Sequence, residues 1–333
     1  MKLYRHLENL PRSVTGSVVA WGNFDGFHKG HQAVVRRAAD IADEMGAPLA
    51  VMTTEPHPSQ FFRPDTPSFR LMSLRSKAQA LEAFGADVVF VLPFDAALAG
   101  TPAKDFVRDV LVNKLRARHV VTGYDQRFGK GRGGDADLLR RMGEGAGFGV
   151  TVVEPLEVDG GVYSSSRVRE HLRNGDPEQA ALLMGHWWRI EGRVEQGDQR
   201  GRTIGFPTAN VSWGDYLEPR LGVYAVRMHV EDGPHRGAYA GVANLGRRPT
   251  FGKTDISFEV HLFDFEGDLY GAHAGVDMIA FIRPEQKFDG LDALKAQIAA
   301  DAGAARDILA SPAAAAGRFP PATRRTSTGT GPA

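Results

Sequence analysis

Cysteine is absent from this sequence of 333 residues. Without cysteine the chain can form no disulfide bond, no thiolate metal site and no cysteine nucleophile. The absence is also typical of proteins that work in a reducing compartment. Any catalysis by this chain must therefore use other side chains.

The sequence also lacks a surplus of charge and a long apolar run. Forty lysine and arginine residues balance forty aspartate and glutamate residues, so the formal net charge is zero. Proteins that wrap nucleic acid or lie on anionic membranes need a basic surplus, so neither partner is expected, although a local basic pocket for phosphates is compatible with the balance. No apolar run reaches the roughly 18 residues that cross a bilayer, and the first ten residues have no signal-peptide core. We therefore expect a soluble, cytoplasmic protein.

The first half of the sequence alternates short apolar runs with helical segments. The apolar runs lie at residues 17–21, 49–52, 88–92, 119–122 and 150–153. The helical segments lie between them, at residues 31–45, 74–84, 103–114 and 136–142. This alternation predicts an α/β domain, with a Rossmann-like parallel sheet and helices on both faces.

The pattern changes after about residue 184. Residues 187–282 contain short β-rich runs separated by glycine and proline, which predict a small antiparallel barrel or sandwich. A helix is expected at about residues 291–301. Residues 311–333 are rich in alanine, proline, glycine, serine and threonine, which predicts a disordered tail, with a binding arm as the alternative. We predict domains at residues 1–184 and 185–310, followed by the tail at 311–333.

A first candidate site lies at residues 22–31, Gly-Asn-Phe-Asp-Gly-Phe-His-Lys-Gly-His. The run follows the first predicted strand and opens the first predicted helix. Its glycines permit a tight turn, and the N-terminus of a helix offers unpaired N–H groups to phosphate. His28 and His31, three residues apart, would project together from the first turn of the helix. Imidazoles placed there can donate hydrogen bonds to charge that develops on a phosphate in the transition state.

Other interpretations of this run are weaker. It lacks the Lys-Ser/Thr pair of a P-loop and the third glycine of a dinucleotide-binding fingerprint. An isolated pair of histidines three residues apart usually lies on the surface without a function. A metal site would need a third ligand at a suitable spacing, and none is evident in the sequence. The strand, turn and helix setting favours the handling of phosphate.

Two later segments have related features. Residues 123–135, Gly-Tyr-Asp-Gln-Arg-Phe-Gly-Lys-Gly-Arg-Gly-Gly-Asp, follow a predicted strand, and residues 163–169, Tyr-Ser-Ser-Ser-Arg-Val-Arg, open a predicted helix. Ser164, Ser165 and Ser166 can cap that helix and supply hydroxyls beside its positive end, while Arg167 offers charge to phosphates. The alternative is a simple N-cap followed by surface arginines. A cap needs one serine, so this alternative does not account for all three.

Taken together, these segments resemble the nucleotidyltransferase superfamily, in the form found in prokaryotic bifunctional riboflavin kinase/FMN adenylyltransferases (FAD synthetases). Residues 28–31 carry the family's His-x-Gly-His signature, and residues 164–167 resemble its Ser-Ser-Thr-Arg element. Two positions depart from the family pattern: Gln126 stands where an aromatic residue is common, and Ser166 replaces threonine. The resemblance implies that His28 and His31 are catalytic, that Asp125 and Phe128 bind flavin, and that the nucleotide is bound by Gly22, Phe24, Asp25, Gly26, Gly30, Ser164, Ser165, Ser166 and Arg167.

A second motif, at residues 192–210, ends in Pro-Thr-Ala-Asn and resembles the riboflavin kinase signature of the same family. Gly197, Gly201 and Gly205 would let a loop wrap phosphates closely, with Arg200 among the charges beside them. Thr208 and Asn210 offer hard oxygen ligands of the kind that Mg²⁺ accepts. For any single glycine, a role in shaping a barrel turn is the more ordinary explanation. The length of the matched sequence favours a role in phosphate binding for the motif as a whole.

The resemblance continues through residues 243–251 and 258–265 and implies that Glu259 is the catalytic base. Such a carboxylate could take the proton of a ribityl hydroxyl as the γ-phosphoryl group moves. On an alternating strand outside a matched string, a glutamate would more often be a solvated surface residue. Residues 283–288 resemble the segment that borders the flavin in this family, which implies that Arg283, Glu285 and Phe288 contact it.

The resemblance implies two ATP-dependent reactions that use Mg²⁺. The barrel would phosphorylate riboflavin to FMN, and the α/β domain would join FMN to the α-phosphate of a second ATP, giving FAD and pyrophosphate. Two alternatives stay open: a different nucleotidyl acceptor, or weak activity caused by Gln126, and a flavin-binding regulator built on an inactive scaffold. The choice between Mg²⁺ and Mn²⁺ and the formation of a homo-oligomer are also left open by the sequence.

Overall fold

The computed structural model describes residues 1–158, 161–197, 205–250, 253–312 and 314, with the backbone alone at residues 248–250 and 253–255. The described chain forms two compact units. The first contains Met1–Thr66 and Leu74–Tyr163, and the second contains Pro67–Ser73 and the chain from Ser164 onward. The sequence prediction placed the boundary later, at residue 184, and that boundary stays a prediction.

The first unit contains a parallel sheet, as the sequence predicted. It has six strands rather than the five predicted runs, because Lys2–Tyr4 adds a short edge strand beside Val88–Phe90. Its strands are β1 (Lys2–Tyr4), β2 (Val18–Trp21), β3 (Leu49–Glu55), β4 (Val88–Pro93), β5 (His119–Gly123) and β6 (Gly149–Val153), in the order β1-β4-β3-β2-β5-β6. A short antiparallel pair, β7 (Glu157–Val158) and β8 (Gly161–Val162), follows them. The chain order runs from β2 through β3 to β4 on one side and from β5 to β6 on the other. The sheet therefore has its topological switch point between β2 and β5, where ligands bind outside the carboxyl ends of the strands.

The helices of this unit are α1 (Lys29–Met45), α2 (Pro58–Phe62), α3 (Leu74–Ala83), α4 (Ala96–Gly100), α5 (Ala103–Phe106) and α6 (Ala136–Ala146). Helix α5 continues as a π-helix over Val107–Lys114. All four residues of β2 are buried, because a central parallel strand is covered on both faces. The core packs the ring of Trp21 against Phe106 at 5.0 Å and against Phe128 at 4.9 Å between centroids.

The second unit contains a closed antiparallel barrel, which agrees with the predicted barrel fold. Its strands are β9 (Trp188–Glu195), β10 (Ala209–Val211), β11 (Gly222–Val230), β12 (Gly237–Thr250), β13 (Lys253–Leu262) and β14 (His273–Arg283), in the order β10-β13-β12-β11-β14-β9. The helices α7 (Ser165–Asn174), α8 (Pro177–Met184) and α9 (Leu291–Ala310) complete the unit. Helix α9 is longer than the predicted segment of residues 291–301. Its alanine-rich second half has high helix propensity and buries Ala305 and Leu309.

A buried network of charges joins three strands of the barrel. The guanidinium of Arg189 donates to both oxygens of Asp277, at 2.6 Å from Nε and 2.8 Å from Nη2. Nε2 of His229 lies 3.0 Å from Oδ2 of the same carboxylate. A side chain on Gly275 would press on Arg189, since a Cβ there would lie 2.8 Å from its Cδ. Such networks stabilise a fold only while every member keeps its partner.

Only residues 311, 312 and 314 of the predicted tail are described. Ala314 is buried, and its carbonyl oxygen accepts a hydrogen bond from Nη1 of Arg227 at 2.9 Å. The remaining residues of the tail, and with them the predicted disorder, lie outside the described residues. Within the ranges that the structure covers, no helix combines the length and the apolar character needed to cross a membrane.

Candidate active sites

The loop after β2 is held by two buried phenylalanines in an uncommon backbone conformation. Phe24, Gly26 and Phe27 have φ values of +52°, +81° and +36°. Both phenylalanine rings are almost fully buried, and Nε2 of Gln32 donates to the carbonyl oxygen of Phe27 at 2.8 Å. Positive φ angles at residues other than glycine cost energy, and they persist where the surrounding packing enforces them. Burial of Phe24 and Phe27 therefore fixes the path of the loop that leads to His28.

His28 and His31 are stacked at the start of α1, with ring centroids 3.7 Å apart. His28 is the N-cap of the helix, and its Nδ1 accepts a hydrogen bond from the backbone N–H of His31 at 3.4 Å. Because Nδ1 accepts this bond, the proton of the neutral His28 ring lies on Nε2, which can donate to a ligand. The ring of Phe24 packs edge to face against the ring of His31, with 5.3 Å between the centroids, and supports it. The structure thus brings the two predicted catalytic histidines together.

Two of the predicted glycines make room for aromatic rings of this turn, Gly30 for His28 and Gly22 for Phe24. A Cβ on Gly30 would lie 3.1 Å from Nδ1 of His28, and a Cβ on Gly22 would lie 3.2 Å from the ring of Phe24. Asp25, between the two buried phenylalanines, is itself buried. The predicted nucleotide residues of this loop therefore form one compact turn at the N-terminus of α1. A helix N-terminus of this kind is suited to bind an anion.

The loop after β5 flanks the other side of the switch point. Asp125 is exposed, and the charge of Arg127 is paired with Asp135 at 3.0 Å. Phe128, by contrast, is only 6% exposed and packs against Trp21 and Phe106. Flavin binding by Phe128, which the resemblance implied, stays a prediction. Because the ring lies in the core, Phe128 would influence a ligand through the shape of the loop.

An exposed aromatic cluster at the same edge of the sheet was missed by sequence reasoning. Phe61 and Phe62 end the short helix after β3, and Phe94 follows β4. The three rings contact each other edge to face at centroid distances of 5.2 to 5.8 Å, and Phe62 is 63% exposed. Because β3 pairs in parallel with β2 and β4 pairs in parallel with β3, the cluster lies at the carboxyl edge that also carries the His28 loop. The signal in the sequence was the adjacent pair of phenylalanines between prolines at residues 58 and 64.

The predicted Ser-Ser-Ser-Arg element belongs to the second unit. Ser164 is the N-cap of α7, and its side chain accepts a hydrogen bond from the backbone N–H of Arg167 at 3.3 Å. Ser165, Ser166 and Arg167 form the first turn of the helix. The capping function inferred from the sequence is therefore present at Ser164, while nucleotide binding by the element stays a prediction.

A cavity of about 400 Å³ opens in the barrel, within the usual size range of small-molecule sites. Its apolar wall includes the side chains of Phe206, Val223, Val242, Phe288, Leu294 and Ile298. Its polar wall includes Thr208, Asn244, Glu259, His261, Arg283 and Glu285. Five predicted site residues thus converge on one cavity: Thr208, Glu259, Arg283, Glu285 and Phe288.

Glu259 is held from two sides. Oγ1 of Thr208 donates to Oε2 of Glu259 at 3.4 Å, and Oγ of Ser257 donates to Oε1 at 3.1 Å. Ser257, Glu259 and His261 alternate along β13, so they share the face that lines the cavity. The carboxylate of Glu259 is therefore half-buried, and a hydrogen bond to each of its two oxygens fixes its orientation.

Thr208 and Asn210 have the chemistry of a magnesium site. Thr208 immediately precedes β10, and Asn210, two residues later, lies opposite Glu259 in the ladder between β10 and β13. A Cβ on Gly197 would lie within 2.6 Å of the carboxamide of Asn210, so glycine at that position leaves the space that the carboxamide fills. A hydroxyl and an amide oxygen beside a carboxylate are hard donors that fit Mg²⁺.

Arg283 is engaged by the protein itself. Its guanidinium donates to Asp301 of α9, with Nη2 at 2.7 Å from Oδ2 and Nε at 2.9 Å from Oδ1. Nη1 donates to the carbonyl oxygen of Pro284, and the guanidinium lies 5.7 Å from the ring centroid of Phe288. The cation therefore fixes the segment after β14 to α9, and Glu285 and Phe288 of that segment line the cavity. Asp301 was not identified from the sequence, because its partner lies on another element.

A second cleft of about 290 Å³ adjoins the same motif. Pro207, Thr208, Phe265, Asp268 and Tyr270 are among the residues that line it. Thr208 therefore lines both clefts. Gly205 is exposed with a φ of +92°. Arg200 and Gly201, two further predicted phosphate-binding residues of this loop, lie outside the described residues.

Comparison with known proteins agrees with the motifs. The model of the FAD synthetase family matches residues 10–167, and the model of the riboflavin kinase family matches residues 184–309. The chain is 42% identical over 311 residues to the bifunctional riboflavin kinase/FMN adenylyltransferase of Escherichia coli (strain K12), covering 93% of this chain and 98% of that protein. It is 40% identical over 290 residues to the protein of the same name from Bacillus subtilis (strain 168), covering 86% and 90%.

Among solved structures, a chain described as a macrolide-efflux protein from Streptococcus pneumoniae has a similar fold. The TM-score is 0.81 at 31% sequence identity, and the match covers 92% of this chain and 98% of that one. The family models cover both halves, and the curated relatives are matched over nearly their whole length. The chain belongs to the family of bifunctional riboflavin kinase/FMN adenylyltransferases.

Proposed function

We propose that the barrel transfers the γ-phosphoryl group of ATP to riboflavin, and that the parallel-sheet unit then adenylylates the resulting FMN with a second ATP. The observation that carries the proposal is the position of Thr208, which lines both clefts of the barrel and donates to Glu259. Two substrates bound in adjoining clefts would meet at this residue. Direct transfer between substrates requires such an arrangement.

The larger cleft suits the flavin. Its wall combines aliphatic side chains with Phe206 and Phe288, which can pack against a planar apolar ring system. The ribityl chain is a row of hydroxyls, and it would reach the polar side of the cavity at Asn244, Glu259 and His261. ATP would then occupy the smaller cleft, with its phosphates directed toward Thr208.

Glu259 would act as the general base. Its carboxylate takes the proton of the terminal ribityl hydroxyl while the hydroxyl oxygen forms a bond to the γ-phosphorus and the bond to the β,γ-bridging oxygen of ATP breaks. Thr208 and Ser257 keep the carboxylate oriented during this step. Mg²⁺, when bound through Thr208 and Asn210, would supply positive charge that neutralises the phosphate oxygens.

In the parallel-sheet unit, the phosphate of FMN would attack the α-phosphorus of ATP, and pyrophosphate would leave. Nε2–H of His28 would donate to the charge that develops on the transferring phosphate, and the stack with His31 orients the ring. The backbone N–H groups at the start of α1 add to this field. We assign the isoalloxazine ring of FMN to the exposed Phe61, Phe62 and Phe94 cluster, because it offers an aromatic surface at the same sheet edge.

A chromatographic time course of riboflavin with ATP and Mg²⁺ tests the proposal. FMN should accumulate first and FAD should follow, with one pyrophosphate released for each FAD formed. FMN formation without FAD or pyrophosphate, when FMN is also supplied directly, would favour a different nucleotidyl acceptor. Absence of riboflavin-dependent ATP consumption would favour a flavin-binding regulator. The cytoplasmic location expected from the sequence stays a prediction.

A further inference from the structure

His261 contacts the segment that immediately precedes Thr208. Its Nδ1 lies 2.8 Å from the carbonyl oxygen of Pro207, and its ring meets the ring of Phe206 edge to face at 5.4 Å. A carbonyl oxygen only accepts hydrogen bonds, so Nδ1 of His261 carries the proton and donates. The side chain of one residue on β13 thus touches the two residues before Thr208.

The backbone ladder cannot supply this contact. The ladder between β10 and β13 pairs Asn210 with Glu259 and Ala209 with Val260, and its register ends there. Proline has no N–H with which to continue such a ladder. The bond from His261 to Pro207 therefore extends the attachment of this segment to β13 by a side chain, at the point where the two main chains stop pairing.

Two groups of the kinase site depend on where this segment lies. Thr208 follows Pro207 directly, and its hydroxyl reaches Glu259 across 3.4 Å, close to the upper limit for a hydrogen bond. Glu259 stands two residues before His261 on the same face of β13. A small outward movement of residues 206–208 would break the Thr208–Glu259 bond and displace one of the two oxygens assigned to the metal.

We infer that His261 is a positioning residue of the kinase reaction: its Nδ1–H holds the Phe206–Pro207 segment against β13, which keeps Thr208 in place for Glu259 and for Mg²⁺. The inference rests on the proposed kinase function. It assigns no contact with the transferred group to His261. The functional atom is Nδ1, and the functional partner is the carbonyl oxygen of Pro207.

Replacement of His261 by asparagine, glutamine and alanine identifies the functional atom. The amide nitrogen of asparagine can occupy the position of Nδ1, whereas that of glutamine lies closer to the position of Nε2. For riboflavin phosphorylation, His261→Ala should lower kcat by about 100-fold, because displacements of about 1 Å have effects of that size. His261→Asn should recover most of this loss, and His261→Gln should recover little.

A binding measurement provides a readout independent of turnover. Calorimetric titration with ADP, with and without Mg²⁺, should show that Mg²⁺ strengthens ADP binding to the unaltered protein and to His261→Asn. The strengthening should be smaller for His261→Ala and His261→Gln. His273→Ala is the matched control, since that imidazole lines neither cleft and its Nδ1 has no hydrogen-bond partner among the described residues.

Several outcomes would overturn the inference. One is an unchanged kcat with unchanged Mg²⁺-dependent ADP binding in His261→Ala, and another is rescue by glutamine but not by asparagine. If His261→Ala fails to fold, as judged by its thermal unfolding, the asparagine and glutamine variants still decide the matter. If the unaltered protein forms no FMN, the proposed function fails, and the ADP titrations alone judge the role of His261.

Discussion

The hydroxyl of Thr208 donates a hydrogen bond to Oε2 of Glu259 across 3.4 Å, and Thr208 is also the residue that the two clefts of the barrel share. This relationship connects the group assigned to metal binding with the group assigned to proton transfer. A change at either residue should therefore affect the chemical step more than the binding of either substrate.

Glu259→Gln should abolish most riboflavin phosphorylation. The amide preserves the shape of the side chain but cannot take a proton, and a general base contributes typically 10² to 10⁴ in rate. We expect kcat for FMN formation to fall by about that range, with FMN adenylylation retained. Steady-state kinetics of the two reactions provides the measurement. Glu285→Gln, in the same cavity, is the control and should raise KM for riboflavin more than it lowers kcat; an equal effect of both changes on kcat would contradict the assignment.

Thr208→Val should raise the Mg²⁺ concentration needed for half-maximal kinase activity. Valine keeps the shape of threonine but removes the hydroxyl that donates to Glu259 and that we assign to Mg²⁺. Thr208→Ser restores that oxygen and should retain most activity. A magnesium titration of the kinase rate compares the three proteins. If all three proteins needed the same Mg²⁺ concentration, Thr208 would not be a ligand of the metal.

Much of this arrangement was predictable from the sequence, because the relevant signals are local. Alternating apolar and helical segments predicted the parallel sheet, and the histidine signature predicted the turn before α1. Asp301 and His261 could not be assigned in this way, because each acts through a partner that is remote in the chain. For Phe128 the motif predicted flavin binding, which stays a prediction, and it gave no sign that the ring packs against Trp21 in the core.

Phe62→Ala should weaken FMN binding in the adenylyltransferase reaction with little effect on stability. The ring is 63% exposed, so its removal costs little packing, but it takes away aromatic surface offered to the isoalloxazine ring. We expect KM for FMN to rise by about tenfold, which corresponds to about 1.4 kcal/mol. Leu182→Ala, another exposed apolar residue at 60% exposure, is the control. An unchanged KM for FMN would exclude the Phe61, Phe62 and Phe94 cluster as the flavin surface.

Asp277→Asn should destabilise the barrel near neutral pH. It removes the carboxylate to which the buried guanidinium of Arg189 donates twice and leaves Glu231, at 3.9 Å, as its anionic neighbour. Breaking a comparable buried pair costs about 3–5 kcal/mol in the free energy of unfolding. Calorimetric unfolding should show a lower transition temperature for the barrel. Asp264→Asn, which removes an exposed ion pair with Arg306, should have little effect.

The destabilisation by Asp277→Asn should depend on pH. Burial opposes ionisation of Asp277, but the hydrogen bonds from Arg189 and His229 prevail and hold the pKa of this carboxyl below its ordinary value. Its stabilising contribution is therefore fully present above the unfolded pKa of about 3.9 and is lost as the pH falls through the lower folded pKa. The difference in transition temperature between the two proteins should narrow below about pH 4. A constant difference from pH 7 to pH 3 would contradict the role given to the ionised carboxylate.

We propose that one chain carries two active sites that act independently, one for each reaction. The most direct measurement is a time course of flavin products from riboflavin, ATP and Mg²⁺ with the double variant His28→Ala/His31→Ala. FMN should accumulate at the rate of the unaltered protein, while FAD formation should be lost. Loss of FMN formation in a folded double variant, or continued formation of FAD, would contradict it.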